Sequence, residues 1–308
     1  MKKTTNITAI CLAVATLVFA PNGFAASNDY EPNVNTYEVF ENVIAGNDVL
    51  DEESNISDSV FQPDNSFRAS DEEQVKIQEK EAQAKKFYQE RQTLKKVSDQ
   101  SKQMAIENSA GFYSSTSCVL NMVQYPQEKN YYCGNGTARS ILMYKGYNCS
   151  QTTLAGNSYL KTEQYGNTPW YLSNGDSDSQ FPMVNTLRGI TGFYYVPAPY
   201  GNAGANPISA TELSEKVVYT TSQYYGVAIC GTSMASSSHA SHLPNYPTNT
   251  NIGHWIASNG YKNSGSTICI VDPVANSPAV SWGSNVSPKY DISNTKAAAF
   301  AATKGIIW

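Results

Sequence analysis

A chain of 308 residues with 41% hydrophobic and 15% charged side chains is long enough for one or two domains with a full apolar core. Its formal charge of -5, with no basic stripe to track a phosphate backbone, excludes the usual nucleic-acid binder, so no nucleic-acid partner is expected. The charge is uneven: residues 28–70 carry ten acidic side chains and one basic, residues 71–110 eight of each, and residues 111–308 eight acidic against ten basic.

Lys2 and Lys3 precede an apolar run from Ile10 to Ala20, and Pro21, Asn22 and Gly23 break it before the small residues Ala25 and Ala26. That order is the pattern of a secretory signal peptide over 1–26, and the run is short against the ~20 residues of a membrane span. The reading predicts a mature chain that is secreted, or at least extracytoplasmic, and free of any membrane span. Cys118, Cys133, Cys149, Cys230 and Cys269 lie beyond the signal segment. An odd count outside the cytoplasm suggests one free thiol and four that pair, and five free, mostly buried thiols are the alternative.

Residues 27–69 are rich in Asn, Asp, Glu, Ser and Pro and have no sustained period, which predicts disorder. Ser70 then supplies a helix N-cap, with Glu73 three residues on to complete a capping box. The helix it opens has a thin apolar stripe (Val75, Ile77, Phe87, Leu94, Val97), so it is expected to be mostly solvated. Segment 27–110 thus reads as an acidic, disordered lead-in plus a solvated helix, either a pro-segment restraining the domain downstream or a spacer. Composition shifts near Gly111 toward aromatics, Gly and β-branched residues, which places the globular domain at 112–308. No phosphate-binding glycine loop and no dinucleotide fingerprint occurs there, so no cofactor is expected.

Within that domain, Gln127 leads a loop to Cys133, and Ala138, Ile141, Leu142 and Lys145 keep helical spacing up to a stop at Gly146. Cys133 then falls at a helix N-terminus, where unpaired N–H groups favour a thiolate. Gly134 and Gly136 are read as leaving room for a substrate backbone. Further on, His254-Trp-Ile-Ala-Ser258, the turn signal Asn259-Gly260, and Thr267-Ile-Cys-Ile-Val-Asp272 form a hairpin pattern. If the turn centres near Asn263, His254 and Asp272 stand directly opposite each other, on one face. Thiol, base and a carboxylate to orient the base are the parts of an activated nucleophile, and the Gln127 amide could join the Cys133 N–H around an oxyanion.

Other candidates are weaker. His239 and His242 form His-x2-His in a Ser-rich loop without further ligands, so a flap beside the site is expected rather than a metal centre. Asp176 and Asp178 resemble part of a calcium loop but lack its distant Glu, and read as a solvated turn. Trp255 would cover the base or simply pack.

As a set, Gln127-x5-Cys133-Gly134 before a helix, Gly253-His254-Trp255 through Gly260-Tyr261, Asp272-Pro273, and the ending Tyr290-Asp-Ile-Ser to Gly305-Ile-Ile-Trp308 resemble the peptidase C39-like family of papain-like cysteine peptidases. The resemblance spans about 120–308. It implies an α+β papain-like fold, in which a helix bearing the cysteine packs on an antiparallel sheet bearing His and Asp. It further implies a Cys–His–Asp triad at Cys133, His254 and Asp272, Gln127 in the oxyanion hole, and a peptide or protein substrate. Asn135-Gly136 departs from the Pro and small residue that relatives often carry there. An acyl-transfer enzyme (transglutaminase-like or a cell-wall amidase) and a non-catalytic binding domain are the alternatives.

Overall fold

The computed structural model describes residues 70–105, 116–172, 180–199 and 206–308, with side chains from 97 to 105 left aside. The signal-peptide pattern, the acidic lead-in and the Asp176 and Asp178 turn lie outside the described residues. Among those described, no helix is long and apolar enough to cross a membrane.

The architecture is α+β, built on a seven-stranded sheet in which every pairing is antiparallel. In chain order the strands are β1 (Cys118–Val119), β2 (Pro197–Ala198), β3 (Val227–Ser233), β4 (Ile252–Lys262), β5 (Thr267–Val271), β6 (Lys289–Ser293) and β7 (Gly305–Ile307). They lie in the order β2-β7-β3-β4-β5-β6, and β1 pairs β4 beyond the stretch that β3 occupies. The helices are α1 (Asp71–Ala105), α2 (Cys133–Tyr144), α3 (Gln151–Ala155), α4 (Thr162–Tyr165), α5 (Pro182–Thr191), α6 (Ala210–Ser222) and α7 (Asn294–Ala301).

Strand alternation divides the core in two, because successive side chains leave opposite faces of the sheet. Ile229, Ile256, Ile268 and Ile270 point into one apolar cluster with Val217 and Val218 of α6 and Phe300 of α7. Ala228, Trp255, Ala257 and Val271 point into the other, with Ile141 and Leu142 of α2 and Val184 and Leu187 of α5. Helix α2 forms where its spacing predicts, with Ala138, Ile141 and Leu142 buried. It stops at Gly146, whose φ of +87° belongs to the left-handed region.

Polar anchors hold helix α1 alongside a short apolar stripe. Ser70 caps the helix by accepting from Glu73 N at 3.2 Å, but the Glu73 carboxylate turns away to Arg188 Nη2 at 2.7 Å. Of the expected stripe, Ile77 is buried, Phe87 is partly buried, and Val75 and Leu94 are about half exposed. Lys80 is buried instead, donating from Nζ to the carbonyls of Tyr194 and Trp308, each at 2.7 Å, with the Trp308 ring centroid 4.1 Å away. Gln92 donates to the carbonyl of Ser264 at 2.7 Å, and the Tyr219 hydroxyl donates to Gln83 at 3.0 Å.

One expectation fails in an instructive way. Asn259-Gly260 does not form the turn, which lies at Asn263–Gly265, but sits inside the 11-residue strand β4. There it makes a bulge: Ser258 faces Ile270, yet Gly260 faces Cys269, leaving Asn259 unmatched. Gly260 has φ +155°, and a Cβ there would lie 2.0 Å from the Cys118 carbonyl oxygen, so β1 crosses where only glycine fits. Asn259 fixes the bulge by donating from Nδ2 to Leu120 O at 2.8 Å and accepting Leu120 N on its carbonyl at 2.7 Å.

Candidate active site

The site forms where the start of α2 meets the start of β4 and the end of β5. Cys133 is the first residue of α2, and the N-cap, Tyr132, offers no side-chain hydrogen bond to the helix. The helix start is pinned by Asn135, the residue that departs from the family pattern, through partners that the sequence does not single out. Asn135 is fully buried; its Nδ2 donates to Gln151 O at 3.0 Å, and its Oδ1 accepts from Thr168 Oγ1 at 3.2 Å. The entering loop is tied down by Glu163, which accepts from Lys129 Nζ at 2.7 Å and from the hydroxyls of Tyr131 and Tyr132. Lys129 lowers the Glu163 pKa first, and the Tyr132 hydroxyl adds to it.

The glycines flanking the cysteine do a different job from the one expected. A Cβ on Gly134 would lie 2.3 Å from Thr168 Oγ1, and one on Gly136 would lie 2.6 Å from Pro273 Cβ. Both therefore admit close packing of the protein against itself, rather than a substrate backbone. Through Gly136 and Pro273, the cysteine helix rests directly on the residue after Asp272.

His254 lies opposite Gly231 near the start of β4 and is almost fully buried. It does not pair directly with Asp272. Beyond the bulge Ala257 faces Val271, so the register carried one step further sets Asp272 across from Ile256, two residues along from His254. Two residues keep the same face, whereas the register near the turn, where Lys262 faces Thr267, would have set them on opposite faces. The bulge at Asn259 restores the phase. The result is a 2.9 Å hydrogen bond between His254 Nε2 and Asp272 Oδ1.

Asp272 is fully buried and saturated with donors. Besides His254, Oδ1 accepts from Val274 N at 3.0 Å, and Oδ2 accepts from the hydroxyls of Tyr246 at 2.8 Å and Tyr290 at 2.7 Å. Neither tyrosine is identifiable as a partner from the sequence; Tyr290 belongs to the motif at the end of the domain, but nothing in its spacing points at Asp272. With Nε2 engaged by the carboxylate, Nδ1 is the ring nitrogen left to face the cysteine, and Cys133 lies close enough to favour the charged imidazole. Burial alone would lower the His254 pKa, but the Asp272 charge and hydrogen bond outweigh it, with Cys133 adding to the pull, and it is pushed up to about 10. Near neutral pH the imidazole is therefore a cation between two groups that favour it.

Gln127 is buried at the same cleft, with Nε2 donating to the carbonyls of Lys129 at 3.0 Å and Asn130 at 2.9 Å, and with Oε1 buried and unpartnered. To donate to an oxyanion it must release one of those carbonyls. Trp255 leaves the opposite face of β4 from His254, donates from Nε1 to Thr168 O at 3.0 Å and lies against Trp170, so it packs beneath α2 and does not cover the base. His239 Nδ1 lies 2.9 Å from Ser241 Oγ, and His242 Nδ1 lies 2.6 Å from the Met234 carbonyl. No group of His, Cys, Asp or Glu that could hold a metal occurs among the described residues. Cys118, Cys133, Cys149, Cys230 and Cys269 are all free thiols, which leaves the Cys133 sulfur available.

A cleft of about 290 Å³ opens on Gln127, Asn130, Cys133, Gly253 and His254 on one side and on Trp282 and its neighbours on the other. Among the described residues, none that lines it comes from α1.

Comparison with known proteins adds a family. The profile of the peptidase C39-like family matches residues 119–304, which spans the whole of this site. A crystal structure from Bacillus anthracis, provisionally assigned as a C39-like peptidase, aligns at 12% identity with a TM-score of 0.38, covering 62% of this chain and 96% of that one. That likeness is too loose to carry an argument. No curated protein matches the chain.

Proposed function

The chain belongs to the peptidase C39-like family, and from that premise we propose that it is a secreted cysteine peptidase of papain-like architecture that hydrolyses peptide bonds. The observation that carries this reading is the position of His254, bonded through Nε2 to a buried carboxylate and opening with Cys133 on one cleft. A thiol at a helix start, facing an imidazolium, has the surroundings in which a thiolate is the nucleophile. The apolar run before Pro21 and its two leading lysines support export.

In the proposed reaction the Cys133 sulfur attacks the scissile carbonyl carbon, forming the C–S bond and driving the carbonyl electrons onto oxygen. The Cys133 backbone N–H, joined by the Gln127 amide once it exchanges a loop carbonyl, stabilises that oxyanion. His254 Nδ1–H then protonates the departing amine as the C–N bond breaks. A water deprotonated by Nδ1 attacks the thioester, and the C–S bond breaks to return thiolate and imidazolium. Asp272 takes no proton in this cycle, since both its oxygens are occupied by donors; its role is to hold the imidazole and its charge.

The direct test is Cys133→Ala. Peptide hydrolysis is expected to vanish while circular dichroism and the melting temperature stay close to those of the parent chain. Retained turnover in that variant would refute the mechanism.

A further inference from the structure

One wall of the cleft is mostly apolar. Ile252, Val274, Ala279, Val280 and Trp282 form it, with Ser281 the polar side chain among them, and among the described residues no Asp, Glu, Lys or Arg lines the cleft. The segment carrying the wall is held by its own backbone: Gly283 N donates to Val280 O at 2.9 Å, and Asn276 N donates to Gly283 O at 3.1 Å. Ser277 Oγ ties the same segment to the carbonyl of Gln127 at 2.7 Å, on the loop that leads to Cys133. At Gly283 a Cβ would lie 2.4 Å from the Val274 carbonyl oxygen, so the bend is closed as tightly as glycine permits. The Trp282 ring lies 4.8 Å, centroid to centroid, from that of Tyr246, whose hydroxyl bonds Asp272. The wall and the carboxylate that holds His254 thus share a support.

Resting on the peptidase reading above, we propose that this wall selects the substrate: the cleft takes an apolar side chain, of the leucine, methionine or phenylalanine kind, from a residue adjoining the scissile bond. Such a side chain exchanges water for contact with Trp282, Val280 and Ile252. A charged side chain entering the same space finds no opposite charge to pair with. The one cation lining it among the described residues, His254, is already held by Asp272 at 2.9 Å, so the newcomer loses hydration without compensation. Discrimination of at least about tenfold is the usual consequence of such a pocket.

The test is a digest of a synthetic peptide library by the full chain, with cut sites read by mass spectrometry. Leu, Met, Ile or Phe should be enriched at least about tenfold over Asp, Glu, Lys and Arg at a position adjoining the cut. Val280→Glu places an anion in the wall and should shift the enrichment toward Lys and Arg, whereas Val280→Lys should shift it toward Asp and Glu. The two variants differ only in sign, so an effect of misfolding would be common to both and could not produce opposite shifts. Cleavage without side-chain preference, preference for glycine alone, or identical profiles in both variants would overturn the inference and leave the peptidase reading standing. No cleavage beyond that of Cys133→Ala would overturn the reading itself, and this inference with it.

Discussion

Lys80 on α1 and His254 on β4 are both buried side chains able to carry positive charge, and their surroundings move them in opposite directions. At Lys80, burial lowers the pKa well below the ordinary lysine value, and the neighbouring cations Arg188 and Lys216 lower it further. Its acceptors are two backbone carbonyls, with the faces of two aromatic rings alongside. At His254 burial acts in the same sense but loses to the full negative charge of Asp272 at 2.9 Å. Dipoles suffice to seat a buried amine in a helix brace, but only a formal anion keeps a buried imidazole charged. The first arrangement serves packing; the second keeps a proton ready beside a thiol.

The comparison breaks most visibly at the carboxylate. Asp272→Asn keeps the shape and removes the charge, so turnover should fall by roughly 10³- to 10⁴-fold and stability by about 3 kcal/mol, measured by peptide hydrolysis and by urea denaturation. The pH dependence identifies the cause. A pKa raised from 6.5 to about 10 contributes stability that is complete below about 6.5 and is lost as pH rises through about 10. The stability gap between parent and Asp272→Asn should therefore narrow between pH 7 and 10.

Lys80→Met tests the other half, with a smaller effect. A lowered lysine pKa is an opposing contribution, present in full at low pH and relieved as pH rises toward the ordinary value of 10.5. Relative to the parent, Lys80→Met should have its largest advantage at low pH. It should lose ground on going alkaline, by on the order of 1 kcal/mol per pH unit in the titrating range, while turnover per folded molecule stays unchanged. A pH-independent difference would mean that the amine titrates as an ordinary exposed lysine.

Reading the sequence succeeds where a single element carries the signal, as with α2, whose apolar spacing and terminal glycine are local. It falls short where the determinant is a relation between elements. The Asn259-Gly260 pair has the chemistry of a turn, and only the crossing of β1 at Cys118 makes it a bulge instead. The turn centres slightly beyond Asn263, which alone would put the inferred register three residues out; the bulge reduces this to two, and the shared face of His254 and Asp272 survives because that displacement is even. Counting apolar residues on α1 overlooks Glu73, Lys80 and Gln92, since a polar side chain reveals itself as an anchor only through distant partners such as Arg188, Trp308 and Ser264. Tyr246 and Tyr290 are invisible for the same reason: each meets Asp272 from a different element.

The claim that His254 and Cys133 act together is tested most directly by the alkylation rate of Cys133 with iodoacetamide near pH 7, read by intact mass in the parent and in His254→Gln. An imidazolium beside the sulfur should make the parent at least about tenfold faster. Equal rates in the two chains would contradict the account.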